Sequence, residues 1–339
     1  MNPMITARVG VQRAPLVDRH GRTHDYLRIS VTDRCNFRCA YCMPKEGIAW
    51  REHKDMLTLE EIGRVARVFV EMGIRKIRLT GGEPTIRKGF VYLAEMLGSL
   101  SGLNELAITT NGYSMDRLAR PLREAGVRTV NLSLDSLRAD RFREITQTDK
   151  LDDVLRGLDA CFQAGFPSIK LNVVVMKDVN EDELLDFVEL AKYRDLQVRF
   201  IEFMPFAGNR WSRAGLYPYA SMRERIESRH RIEPIATDRS AVGKEFSIPG
   251  FAGSVAFVTS MTESFCGGCS RIRLLSDGQV KPCLFLPAEV GVRDPIRDGC
   301  DDTEIERLIR SALDRKWKEH PPMDELQRLD NRRMIEIGG

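Results

Sequence analysis

Tyr26-Leu27-Arg28-Ile29-Ser30-Val31 runs straight into Thr32-Asp33-Arg34 and then Cys35-Asn36-Phe37-Arg38-Cys39-Ala40-Tyr41-Cys42. The first six residues form a largely apolar strand pattern. The cysteines fall in the loop just past its end, where the βα loops of barrel folds carry their chemistry. Outward from this stretch, strand patterns recur at 75–80, 106–110, 129–134, 168–175 and 197–203. Helical patterns alternate with them. The first opens at Thr58 with Glu61 three residues on, a capping box that satisfies free amides, and sets Ile62, Val65, Ala66, Phe69 and Val70 on one face. Others cover 90–100, 116–125, 151–164 and 182–193. Alternation of this kind specifies a mostly parallel sheet, so the expected fold is α/β: an incomplete (β/α)6, TIM-like barrel.

Past Pro205 the rhythm changes, because Gly208, Gly215, Pro218, Pro234, Gly243, Pro249, Gly250 and Gly253 break the chain into short pieces. A smaller second region is expected there. The chain divides into an N-terminal extension over 1–25, a partial barrel over 26–234 and a C-terminal region over 235–339. The clearest element of the last is a hairpin with strands at 271–276 and 280–286 about Asp277-Gly278, a pair that favours a tight turn. A helix over 303–317 follows, and the polar tail ends in Gly338-Gly339.

With 339 residues, 42% of them apolar and 30% charged, the chain reads as globular with an ample core. Its 52 basic and 49 acidic residues leave +3, with signs mixed along the sequence, which excludes a global nucleic-acid or membrane-surface footprint. No apolar run approaches the roughly 18 residues that span a bilayer. The first 24 residues carry Arg8, Arg13, Arg19 and Arg22 without the apolar core of a secretory signal. A cytoplasmic location follows as the expectation. In that reducing setting the eight cysteines read as metal ligands or reactive thiols before they read as disulfides.

Cys35, Cys39 and Cys42 have no fourth Cys or His nearby except His53. That is one ligand short of a structural zinc site, and it favours an iron–sulfur cluster with one iron open to a small molecule. A zinc knuckle and unrelated buried thiols are the alternatives. Cys266-Gly267-Gly268-Cys269, with Cys283 brought back by the hairpin, is a second set of three, for which a zinc ribbon completed by Cys300 is the alternative. Cys161 reads as a plain buried helix residue. Arg271 and Arg273 share one strand face, and their forks suit phosphate oxygens, unless the strand is exposed and they are merely solvated. Arg28, Arg78, Thr109 and Lys170 lie at or near strand ends. Buried strands rarely hold cations without a purpose, so a barrel interior lined by Arg28, Arg78 and Lys170 fits a triphosphate.

The run from Cys35 to Cys42, continued by Met43-Pro44, resembles the cluster motif of radical S-adenosylmethionine enzymes, in particular the GTP 3′,8-cyclases of molybdenum cofactor biosynthesis. Gly81-Gly82-Glu83-Pro84 and Asn131-Leu132-Ser133-Leu134-Asp135 agree with it in type and order, and the resemblance covers 26–339. It implies that Cys35, Cys39 and Cys42 hold a [4Fe–4S] cluster whose open iron takes S-adenosylmethionine, which one electron cleaves to a 5′-deoxyadenosyl radical. Tyr41, Gly82, Ser133 and Met204 would line the S-adenosylmethionine site, and Glu83 offers an acceptor to its ammonium group. A second [4Fe–4S] cluster on Cys266, Cys269 and Cys283 is implied to face the substrate. Arg28, Arg78, Thr109, Lys170, Arg271 and Arg273 would contact GTP, and Gly338-Gly339 would enter the active site beside Arg271 or Arg273 and serve the chemistry there.

The implied reaction converts GTP to (8S)-3′,8-cyclo-7,8-dihydro-GTP through hydrogen abstraction at ribose C3′ and attack of that carbon on guanine C8. Implied partners are a flavodoxin- or ferredoxin-like electron donor, cyclic pyranopterin monophosphate synthase downstream, and a second copy in a homodimer, with neither nucleic acid nor membrane. Two rival readings stand beside this one. They are another radical enzyme with an auxiliary cluster, such as a peptide modifier, and a non-catalytic zinc-binding scaffold.

Overall fold

Each strand expected in the first region forms. A computed structural model describes residues 13–44 and 47–338. In it β1 (Tyr26–Ser30), β2 (Lys76–Thr80), β3 (Glu105–Thr110), β4 (Val127–Ser133), β5 (Ser168–Val175) and β6 (Gln197–Glu202) pair in parallel, each with the next. Alternate residues of these strands, among them Leu27, Ile29, Ile77, Leu79, Leu171 and Val198, are buried in one core with Val65 and Phe69 of the helix Leu59–Glu71. The capping box of that helix forms in both directions, Glu61 N to Thr58 Oγ1 at 3.1 Å and Thr58 N to Glu61 Oε2 at 2.7 Å.

The C-terminal part adds β7 (Glu233–Ile235), β8 (Lys244–Ser247), β9 (Ser254–Val258), β10 (Arg271–Leu274), β11 (Gln279–Lys281) and β12 (Val290–Gly291). Two of these extend the parallel sheet rather than forming a layer of their own: β9 pairs in parallel with β6, and β10 in parallel with β1. The parallel run is therefore β10-β1-β2-β3-β4-β5-β6-β9, with β11–β12 and β8–β7 appended antiparallel at its margins. The barrel stays open between β9 and β10. The segment 259–270 that joins those two margins carries Cys266 and Cys269.

Three elements differ from expectation, each for a local reason. The helix expected over 182–193 is a 3-10 turn, Glu181–Glu183, followed by a short helix, Leu184–Glu189. Glu183 is buried, and its carboxylate accepts from Ser136 Oγ and Leu137 N, both at 2.7 Å, so tertiary contacts fix the turn. The second hairpin strand stops at Lys281 because Pro282 has no N–H to give the ladder, which leaves Cys283 in a loop. The last long helix ends at Leu313, and Lys316 beyond it is drawn inward. No helix among the described residues is long and apolar enough to cross a membrane.

Candidate active site

Register places the cations. Across three adjacent strands Arg273, Arg28 and Arg78 stand level with one another, and on the far side Thr109, Asn131, Lys170 and Gln197 form a second level row. Arg28, Arg78, Lys170, Arg271 and Arg273 line a single cavity together with Cys266, Cys269 and Cys283. Burial and mutual repulsion lower three of these cations, Arg28, Lys170 and Arg273. Burial and neighbouring Arg271 bring Arg273 down to about 10, burial and Arg199 bring Lys170 down to about 8, and Arg28 is lowered by burial and by Arg273. The Nε atoms of Arg78 and Arg199 find no acceptor among the described residues. Against these cations the described lining sets only two carboxylates, Asp25 and Glu245, and that excess of positive charge suits a polyanion.

The first cysteine set opens into an adjoining cavity, lined by Cys35, Cys39, Cys42, Tyr41, Gly82, Glu83, Ser133 and Met204. Every residue expected around S-adenosylmethionine is thus on one wall system with the three thiols. Asn172, Ile201, Met204 and Met334 line both cavities and form their shared boundary. Thr109, expected with the nucleotide contacts, opens into the first cavity instead, with its hydroxyl unpartnered among the described residues.

Gly81 and Gly82 serve the chain's own packing. A Cβ on Gly82 would strike the Arg34 carbonyl and one on Gly81 the Thr32 carbonyl, while Gly82 N and Glu83 N donate to those same oxygens, each at 2.8 Å. The glycine turn is thereby clamped onto the cysteine loop. Glu83 is only 1% exposed, and burial raises its pKa. Its carboxylate accepts from Thr85 N at 3.0 Å, Thr85 Oγ1 at 2.6 Å, Thr110 Oγ1 at 2.8 Å and Asn111 N at 2.6 Å. Tyr41 Oη donates to Asp135 Oδ2 at 2.7 Å, and burial pushes Asp135 up to about 6.

Cys269 of the second set differs electrically from the three cysteines of the first. Burial pushes the Cys35 thiol up to about 12 and raises Cys39 and Cys42 as well, each further raised by the other cysteines or nearby carboxylates. Cys269 goes the other way. Burial would raise it, but Arg271 and Lys316 bring it down to about 6, with Arg271 Nη2 and Lys316 Nζ each 3.4 Å from its sulfur. Among the described residues no group of three His, Cys, Asp or Glu side chains is arranged to hold a single metal ion. Each cavity carries three soft thiols in its lining, the donor type and number that leave one iron of a [4Fe–4S] cluster open.

The tail reaches this centre. After the helical turn Met334–Ile337, Gly338 takes φ +82° and its carbonyl accepts from Arg273 Nη1 at 2.9 Å. A Cβ there would collide with Thr80 Oγ1. Gly339 lies outside the described residues. Arg271, the other expected tail partner, lies instead beside Cys269.

Among the residues of the cation-lined cavity that escaped the sequence reading are Tyr26, Lys76, Arg199 and Lys316. Strand alternation could have found Arg199, which is two residues from Gln197 on the inner face of β6. Tyr26 lies under Lys76 and Arg78, whose charges sit 5.3 and 5.5 Å from its ring centre. Lys316 carried no signal, being three residues past a helix end. It is 2% exposed and donates to the carbonyls of Arg271 at 2.6 Å and Pro282 at 2.8 Å.

Comparison with known proteins places the chain among its relatives. Residues 29–191 match the Radical SAM superfamily model, and 196–322 match the model described as Molybdenum Cofactor Synthesis C. The chain is 46% identical to the mitochondrial GTP 3′,8-cyclase of Arabidopsis thaliana over 96% of its own length and 83% of that protein's. It is 40% identical to the GTP 3′,8-cyclase of Alkaliphilus oremlandii over 95% and 99%. With mouse molybdenum cofactor biosynthesis protein 1 it shares 45% identity over 95% of this chain, and it spans about half (51%) of that longer protein. Among solved structures, Streptococcus suis SuiB bound to S-adenosylmethionine superposes with a TM-score of 0.56 at 15% identity, covering 91% of this chain and 69% of that one. A likeness at that identity concerns the fold alone.

Proposed function

The chain belongs to the GTP 3′,8-cyclase family of the radical S-adenosylmethionine superfamily, and on that premise we propose that it converts GTP to 3′,8-cyclo-7,8-dihydro-GTP. Membership carries with it one [4Fe–4S] cluster and S-adenosylmethionine binding. The observation that supports the finer reading is the pair of adjoining cavities, one walled by Cys35, Cys39 and Cys42, the other by a second thiol set and a ring of arginines. Cys266, Cys269 and Cys283 hold a second [4Fe–4S] cluster in this reading, and the region over 235–339 binds substrate. When bound with S-adenosylmethionine and reduced, the first cluster supplies a carbon radical able to take hydrogen from a ribose.

The protein's own share is placement. Arg28, Arg78 and Arg273 offer donors at one level for phosphate oxygens, Lys170 adds a charge across the barrel, and Met204 and Met334 separate the two ligands. Closure by the tail and by segment 259–270 keeps water from the reacting carbon. The enzyme works in the cytoplasm in this reading, as a homodimer, with a flavodoxin- or ferredoxin-like donor, and passes product to cyclic pyranopterin monophosphate synthase. Such thiol-held clusters suit a reducing compartment.

GTP binding tests the cation assignment. Arg271→Ala and Arg273→Ala are each expected to weaken anaerobic binding by about 1.5–3 kcal/mol, the range of hydrogen bonds to charged groups. Unchanged affinity in both would move the triphosphate elsewhere.

Lys170 gives the pH dependence. Its free ammonium loses its proton near pH 8, and a bound polyanion raises that value, so binding takes up a proton wherever Lys170 starts neutral. Affinity is full below pH 8 and falls as pH rises, by up to about tenfold per unit, until the raised value of the complex is passed. Titration calorimetry from pH 7 to 9.5 should show this slope in the parent and its loss in Lys170→Met. An equal slope in both proteins would assign it to another group.

A further inference from the structure

The segment just before β1 holds a buried polar cluster outside both cavities. Fully buried Leu16 anchors it, Leu16 N donating to the Met72 carbonyl at 3.1 Å, and a bridge between Val17 and Thr23 folds it back on itself. Inside the turn the Asp18 carboxylate, 4% exposed, accepts four bonds. These come from His20 N at 2.9 Å, Arg22 N at 3.0 Å, Arg22 Nε at 2.7 Å and the His24 ring at 3.1 Å. A carboxylate so filled fixes Arg22 in one orientation. The two terminal nitrogens of Arg22 then donate to three backbone carbonyls: Cys266 at 2.8 Å, Lys318 at 2.8 Å and Trp317 at 2.6 Å.

Those carbonyls belong to two segments that must be held together if the second thiol set is to act as one site. One is the loop of Cys266 and Cys269. The other, 316–318, carries Lys316, which contacts the Cys269 sulfur and the carbonyls of Arg271 and Pro282, the last beside Cys283. A continuous line of contacts and chain therefore runs from Asp18 through Arg22 to Cys266 and, by way of Lys316, to Cys269 and to Pro282, the residue before Cys283. We infer that Asp18 and Arg22 are positioning residues for the second cysteine set, a brace supplied by the N-terminal segment. This rests on the reading that Cys266, Cys269 and Cys283 hold an iron–sulfur cluster. Partners that orient metal ligands from outside typically change metal retention by about 10- to 100-fold when removed.

Two reconstituted backgrounds separate the effect from general destabilisation. With Cys35, Cys39 and Cys42 replaced by Ala, only the second cluster remains; with Cys266, Cys269 and Cys283 replaced, only the first. In the former, Arg22→Met should speed anaerobic iron release to excess chelator by about 10- to 100-fold and shift the cluster's midpoint potential, with Arg22→Lys and Asp18→Asn intermediate. In the latter, the same substitutions should leave iron release unchanged. Equal acceleration in both backgrounds would reduce the brace to fold stability, and no acceleration in either would overturn it. If the first background holds no iron at all, the two-cluster reading itself fails and the brace with it, an outcome distinct from the other two.

Discussion

Removing Gly338 and Gly339 is expected to lower cyclised product at least about 100-fold, the scale of a misplaced reacting group, while iron content and GTP affinity stay near parent values. The expectation comes from where Gly338 sits. Its carbonyl takes the Arg273 guanidinium at 2.9 Å, and its left-handed backbone leaves no room for a side chain against Thr80. Ile335 and Ile337 beside it are buried, so the chain is pinned up to the last turn that precedes Gly338. Loss of the tail frees Arg273 to swing and opens the centre to water, neither of which requires unfolding. Gly338→Ala should reproduce most of the defect, since both the backbone angle and the contact with Thr80 exclude a methyl group. Product measured by chromatography under anaerobic turnover checks this, and parent-rate turnover by the truncated enzyme would make the tail a frayed end.

Replacing Cys35, Cys39 and Cys42 together by Ala is expected to halve the iron and abolish S-adenosylmethionine cleavage altogether. Replacing Cys266, Cys269 and Cys283 should also halve the iron yet leave cleavage running without cyclisation. The asymmetry follows from the two cavities: the first set shares its walls with Tyr41, Glu83 and Ser133, the second with the arginines. Iron analysis and 5′-deoxyadenosine release are the measurements. Equal loss of cleavage in both triple variants would contradict separate roles.

The six barrel strands were legible because each is a local β-branched run between helical patterns. The strand at 271–276 was legible too, but the parallel pairing of the outer two strands was not. Ser254–Val258 is a short run beside Gly250 and Gly253, and its partner β6 lies more than 50 residues upstream, so nothing local declares it parallel. Likewise the hairpin around Asp277-Gly278 is a local signal, but the pairing of its first strand with β1 joins residues some 245 positions apart. That pairing sets Arg273 level with Arg28, and no reading of either stretch alone contains it. Arg22 was seen only as one arginine of a basic extension, because its three carbonyl partners lie in the distant C-terminal part.

The most direct test of the whole account is anaerobic turnover of GTP carrying deuterium at ribose C3′, with S-adenosylmethionine and a strong reductant. The account predicts deuterium in the released 5′-deoxyadenosine, with a product that elutes apart from GTP and, made from unlabelled GTP, has the same mass. Release of 5′-deoxyadenosine that carries no deuterium would contradict it.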